Sequence, residues 1–109
     1  MKLLKPEEIE GTKEYGGIVK FIVTKENCND LSAGFTILKP GESLNSEEIH
    51  EFVDEVFYII SGTLTIFSSD KEYLKAEKGQ IVVIPKKFPH HSKNLGNENL
   101  VFLWFAANK

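Results

Sequence analysis

Hydrophobic positions along this chain fall in short runs: Ile18–Val23, Ser32–Lys39, Glu55–Ser61, Thr63–Ser68, Glu72–Lys75, Ile81–Ile84, His90–Lys93 and Leu100–Ala106. Each is rich in β-branched and aromatic residues and is bounded by Gly, Pro, Asn, Asp or Ser, the composition of strands separated by turns. No longer stretch keeps a helical period. The pattern predicts an all-β sandwich or barrel rather than alternating helices and strands. Residues 1–15 read as a polar arm, with one short helical turn at Pro6–Ile9, and residues 16–109 as one barrel. Turns are expected at Pro40-Gly41, Ser68–Lys71 and Lys78-Gly79, and Ser61-Gly62 is expected to close a tight hairpin. The last run, Leu100–Ala106, is apolar on both faces. An antiparallel strand of that kind needs its outer face covered, which points to a second copy of the chain and a homodimer.

Length and charge narrow the picture. The 109 residues make one domain, large enough for a core without disulfides. Net charge is −3 and the charges are mixed along the chain, without the basic cluster of a nucleic-acid footprint. All 13 basic residues are Lys. With no Arg, the bidentate fork that clamps carboxylates and phosphates is missing. Cys28 is the single cysteine and sits in the polar stretch Lys25–Asp30, where it reads as an incidental thiol. That agrees with a reducing, cytoplasmic setting. The N-terminal residues lack the apolar core of a signal peptide. No apolar run reaches the ~18 residues of a membrane helix.

Candidate chemistry lies with three histidines, His50, His90 and His91, and the acidic residues near them. If Glu48 and His50 lie on a strand, they share a face. Glu55 opens a run in which Glu55, Phe57 and Ile59 share another. His90, Ser92 and Asn94 share a third, with His91 turned the other way. Imidazoles and carboxylates from separate strands suit a borderline divalent metal. On spacing alone the same residues also read as a solvated acidic loop plus a surface histidine pair.

Two motifs resemble those of the cupin superfamily. Its first motif is roughly G, five residues, H-x-H, three or four residues, E, six residues, G. Here Gly41 is followed by His50, then four residues, Glu55, six residues and Gly62. The second motif is roughly G, five residues, P-x-G, two residues, H, three residues, N. Here Gly79, Pro85, His90 and Asn94 fall in register. The resemblance covers residues 41–94 and implies a double-stranded β-helix, the jelly-roll barrel of that superfamily.

By position, the resemblance also implies that His50, Glu55 and His90 hold a divalent metal: Fe, Mn, Zn or Ni. The first histidine of the family's pair is absent. Counting back from His50 puts Glu48 in its place; counting forward from Gly41 puts Glu47 there. Glu48 is preferred because it shares a face with His50, and if it is not a ligand it is the candidate general base. Lys87 stands where the family prefers Gly, a departure that matters only if its φ is positive. Phe57, Ile59, Phe102 and Trp104 (or Phe105) are expected to line a small-molecule pocket. The function implied is a metal-binding barrel acting on a small organic molecule as a dioxygenase, isomerase or lyase. The alternative is a non-catalytic binding or sensor barrel.

Overall fold

A computed structural model describes residues 1–45 and 47–108. Ser46, within the first motif, and Lys109 lie outside the described residues. Eight strands follow a short 3-10 turn at Pro6–Glu8: β1 Ile18–Val23, β2 Leu31–Leu38, β3 Glu55–Ser61, β4 Thr63–Ser68, β5 Lys71–Glu77, β6 Ile81–Ile84, β7 His91–Lys93 and β8 Leu100–Ala107. They form two antiparallel sheets, a five-stranded one in the order β1-β2-β8-β3-β6 and a three-stranded one in the order β5-β4-β7. This is the all-β double-stranded β-helix.

Ser43 and Glu48 extend the smaller sheet. Ser43 bridges Lys93, and Glu48 bridges His90. The Leu44 amide donates to the Ser92 carbonyl (3.1 Å), and the Asn94 amide to that of Glu42 (2.9 Å). Asn94 is fully buried. Its side-chain nitrogen donates to the carbonyls of Leu38 and Glu98, and its oxygen accepts from the Gly96 amide. It ties the second motif to the neighbouring loops.

One turn departs from expectation in an instructive way. Ser61-Gly62 does not close a hairpin, because β3 pairs with β6 and β8 while β4 pairs with β5 and β7. Gly62 instead carries the chain from one sheet to the other. Its φ is +79°, and a Cβ there would lie 2.5 Å from the Asn99 carbonyl oxygen. A sharp switch and a hairpin look alike in sequence when both join β-branched runs. The true hairpin of this region is β4–β5, turning through Ser69 and Asp70, both at positive φ. Positive φ at both central residues is the twist-matched turn.

Side chains alternate into and out of the barrel, as the period of two requires. The inner side holds a core that includes Leu38, Ile59, Leu64, Ile66, Leu100 and Phe102. Strand pairing sets successive inner rows across the larger sheet. Phe21, Gly34, Trp104, Phe57 and Val82 form one; Thr36, Phe102 and Ile59 belong to the next; Glu55, Ala106 and Ile84 stand at the opposite end. At Gly34 a Cβ would lie 2.4 Å from the Trp104 ring, so the absent side chain is what lets the indole lie over β2.

Candidate metal centre and pocket

The four residues expected at the metal site come together at the open end of the barrel. One ligand atom from each of Glu48, His50, Glu55 and His90 lies within 4.8 Å of all the others. Three elements deliver them. Glu55 is the first residue of β3 and its inner row places it inward. His90 directly precedes β7, and its backbone exchanges two hydrogen bonds with Glu48 (2.7 and 3.0 Å). Residues opposed in this way across an antiparallel pair present their side chains on one face. That pairing brings Glu48, and not Glu47, to the cluster; a Glu47 carboxylate oxygen accepts from the Ser69 amide (2.6 Å). His50 belongs to a loop rather than to the strand that would have put it on the face of Glu48. The Lys87 amide donates to its carbonyl (2.6 Å) and pins that loop. Lys87 has φ +68°, so the position where the family prefers Gly does use the left-handed conformation.

The cluster is tight. His50 Nε2 lies 3.3 Å from Glu48 Oε2 and 3.1 Å from Glu55 Oε1, and His90 Nε2 lies 3.3 Å from Glu55 Oε1. Beyond these contacts with one another, buried His50 Nε2, Glu55 Oε1 and His90 Nε2 find no hydrogen-bond partner among the described residues. Buried polar atoms without partners are costly and rare. Here they converge on one point, which is what a cation would satisfy. Metal–ligand bonds of about 2.0–2.2 Å put two ligands at most ~4.4 Å apart. The contacts of 3.1–3.3 Å already fall within that limit, and the widest separation, up to 4.8 Å, has to close by at least a few tenths of an ångström. The His90 Nδ1 contacts the Phe88 carbonyl oxygen (3.0 Å). If Nδ1 carries the proton and donates there, Nε2 is left with a free lone pair, the second-shell arrangement of a metal-ligating histidine. The donor set fits a divalent ion. His91 faces elsewhere, its Nε2 against the Leu44 carbonyl oxygen.

Electrostatics follow from this crowding. Burial pushes the Glu48 carboxyl above the ordinary value, and the Glu55 charge pushes it the same way; both outweigh the two histidines. For His90 burial favours the neutral ring, but Glu55, the Phe88 carbonyl and Glu48 together reverse this, and the net shift is upward.

A cavity of about 350 Å³ opens from the cluster into the barrel. Phe57, Phe102 and Trp104 are among its lining residues. Ile59 is not among them. It is fully buried in the packed core, one row further in. Phe105 is on the outer face. Six wall residues escaped the sequence reading: Tyr15, Val19, Phe21, Thr36, Leu44 and Asn45. Tyr15 belongs to the presumed arm, which Thr12 pairs to Val19 and Asn45 ties down through the Glu14 and Tyr15 carbonyls. Phe21 shares a strand face with Val19, a signal that was available in the alternation of β1. A second, shallower recess lies on the other side of the cluster, between loop 49–53 and the ends of β2 and β8.

The structure is a small β-barrel with a His/Glu cluster at its mouth that could hold a metal ion, and comparison with known proteins agrees on the fold. The chain belongs to the cupin domain family, whose sequence profile matches residues 34–106. A 54-residue stretch, half of the chain, is 35% identical to the uncharacterized protein MJ1618 of Methanocaldococcus jannaschii and covers 42% of that protein's length. Two solved structures superpose over nearly the whole chain. A predicted oxalate decarboxylase from Thermotoga maritima gives a TM-score of 0.82 at 21% identity, covering 99% of this chain and 100% of that one. The polyketide cyclase RemF from Streptomyces resistomycificus gives 0.84 at 16%, covering 100% and 80%. At such identities the likeness is one of fold.

Proposed function

We propose that this chain is a metal-dependent cupin enzyme acting on a small organic molecule, with a divalent ion held by His50, Glu55, His90 and Glu48. The observation that carries the reading is the convergence of three partnerless buried donor atoms at the mouth of an aromatic cavity. A bound Fe, Mn, Zn or Ni ion would supply Lewis acidity and orientation toward a ligand oxygen, and Fe would add oxygen chemistry. That range spans dioxygenase, isomerase and lyase reactions. The structural neighbours named as a decarboxylase and a cyclase fall within a comparable spread of chemistry on one barrel.

The chain's own residues bind, orient and exclude water. Phe57, Phe102 and Trp104 form the dry wall. His90 is held in one orientation by Phe88. Glu48 is the most exposed of the four, and its raised pKa suits a group that exchanges a proton with a ligand. It is the general base wherever it is not bound to the ion.

One observation favours a second, non-catalytic reading. If all four residues ligate, Tyr15 is the one other titratable residue among those described in the cavity wall. A binding or sensor cupin would then be the better description.

Elemental analysis of protein purified without added metal, and after loading with Fe, Mn, Zn and Ni, tests the metal-dependent reading. One equivalent per chain is expected. Absence of stoichiometric uptake for all four metals would remove it.

The outer face of the larger sheet supports a homodimer. Val56, Tyr58, Ile81, Val83, Leu103 and Phe105 form an uncharged surface across β6, β3 and β8, with Ile81 64% and Val83 65% exposed. A self-complementary apolar face suits an isologous pair. Light scattering should give twice the chain mass for the wild type and the single chain mass for Val83→Lys. A monomeric wild type at micromolar concentration would refute it.

A further inference from the structure

We infer that the cavity selects an uncharged, flat, aromatic ligand of about two fused rings, offering one oxygen to the metal, and rejects phosphorylated and dicarboxylate molecules. This rests on the proposed metal site and specifies what that site takes.

Size comes first. A ~150 Å³ apolar cavity is enough to take up benzene. The cavity here, at about 350 Å³, has room for roughly two such rings.

The walls come next. Five aromatic side chains face the cavity: Tyr15, Phe21, Phe57, Phe102 and Trp104. They form two groups. Phe57 packs on Phe102 with centroids 4.7 Å apart and touches the His90 ring edge-on at 6.2 Å. Tyr15, Phe21 and Trp104 meet edge-to-face, Tyr15 to Phe21 at 6.2 Å and Phe21 to Trp104 at 5.6 Å. Phe21 and Tyr15 remain 48% and 42% exposed at the rim. Aromatic side chains left exposed at a cavity rim are an unmet apolar surface, which a flat aromatic ligand covers.

Charge decides against anions. Among the described residues no Lys lines this cavity, and the chain has no Arg. Lys25 lines the outer recess instead. The metal's two positive charges are matched by Glu48 and Glu55. A family-type set with histidine in place of Glu48 would leave one positive charge unmatched; this one leaves none. A dianion would enter a net-neutral centre walled by aromatic rings and pay its desolvation with little return. A neutral phenol or enol pays almost nothing.

Isothermal titration calorimetry with 2-naphthol and with 2-naphthyl phosphate, on metal-free and zinc-loaded full-length protein at about pH 7.5, tests this. The two probes share the ring system and differ in charge. The expected result is 2-naphthol binding to both forms, tighter with zinc, and binding at least about tenfold more tightly than the phosphate. Phe21→Ser should weaken 2-naphthol at least about fivefold while leaving zinc stoichiometry unchanged. Tighter binding of the phosphate, or zinc uptake without any 2-naphthol binding, would overturn the ligand class. Binding of 2-naphthol by a protein that takes up no zinc would uphold the ligand class and overturn the metal site, so the two readings fail separately.

Discussion

The two ends of this barrel are made from the same strands and do opposite things. Strand β3 carries Glu55, Phe57 and Ile59 on one face: a candidate ligand, a cavity wall and a core residue in succession. Strand β8 runs from cavity wall to core with Trp104, Phe102 and Leu100. Toward the closed end, Leu38, Ile59, Leu64 and Leu100 are sealed from solvent. Toward the open end the rows no longer meet, and Tyr15 of the arm together with Leu44, Asn45, Glu48 and His50 completes the wall. Packing is thus a property of the strands, and chemistry a property of where the strands stop. The partnerless polar atoms of the site are tolerable there because a cation and a ligand can reach them.

Substitution can break that contrast from either side. Leu100→Ala, at the sealed end, should cost about 2–5 kcal/mol in chemical denaturation, from lost burial and the cavity left behind. The folded fraction should still take up one metal per chain. A metal defect with unchanged stability would mean the two ends are not separable. Gly34→Ala acts at the boundary. Its Cβ would lie 2.2 Å from the Lys20 carbonyl oxygen and 2.4 Å from the Trp104 ring. A cost of about 1–3 kcal/mol is expected, with a changed near-ultraviolet signal from the single tryptophan. An unshifted tryptophan signal would contradict the placement of the indole over β2.

Proton linkage sharpens the contrast further. His90 and Glu48 both titrate above their ordinary values in the metal-free fold. Their protonated forms are therefore favoured by folding. That contribution is complete below the unfolded values and is lost as pH rises through the folded ones. A metal ion displaces the same protons. Stabilisation by zinc should consequently grow as pH rises above the ordinary carboxylate and histidine values, by up to ~1.4 kcal/mol per pH unit for each proton released. A zinc-induced Tm increment independent of pH would place the ion elsewhere.

The smallest effect concerns Lys87. Left-handed backbone costs a side-chain-bearing residue about 1–2 kcal/mol, and the added freedom of Gly in the unfolded chain costs up to ~1 kcal/mol. Lys87→Gly should therefore leave stability unchanged or raise it by up to about 1 kcal/mol. A loss of stability would show that the Lys87 side chain contributes more than its backbone strain removes.

The sequence discloses strands better than it discloses depth. Four of the eight runs match the observed strands residue for residue, and the others differ at their ends, because alternation and turn residues are local signals. Alternation states which face a residue is on and nothing about how far along the barrel it sits. Ile59 was therefore expected in the pocket when it belongs to the core. Glu48 and His50 were expected together on a strand. They do meet, but through the Glu48–His90 bridge and a loop held by Lys87, contacts that span tens of residues. Tyr15 was hidden in an arm that looked polar, because what draws it to the cavity is the backbone of Asn45. Motif spacing succeeded where it encoded such long-range contacts, at His90 and Asn94.

The account stands or falls on the donor set at the open end. X-ray absorption at the zinc edge of the loaded protein reads it directly. Two imidazole nitrogens with the remaining ligands oxygen, at about 2.0–2.2 Å, are expected for the wild type, and one imidazole or no bound zinc for His90→Ala. A wild-type spectrum without histidine, or one that His90→Ala leaves unchanged, would contradict it.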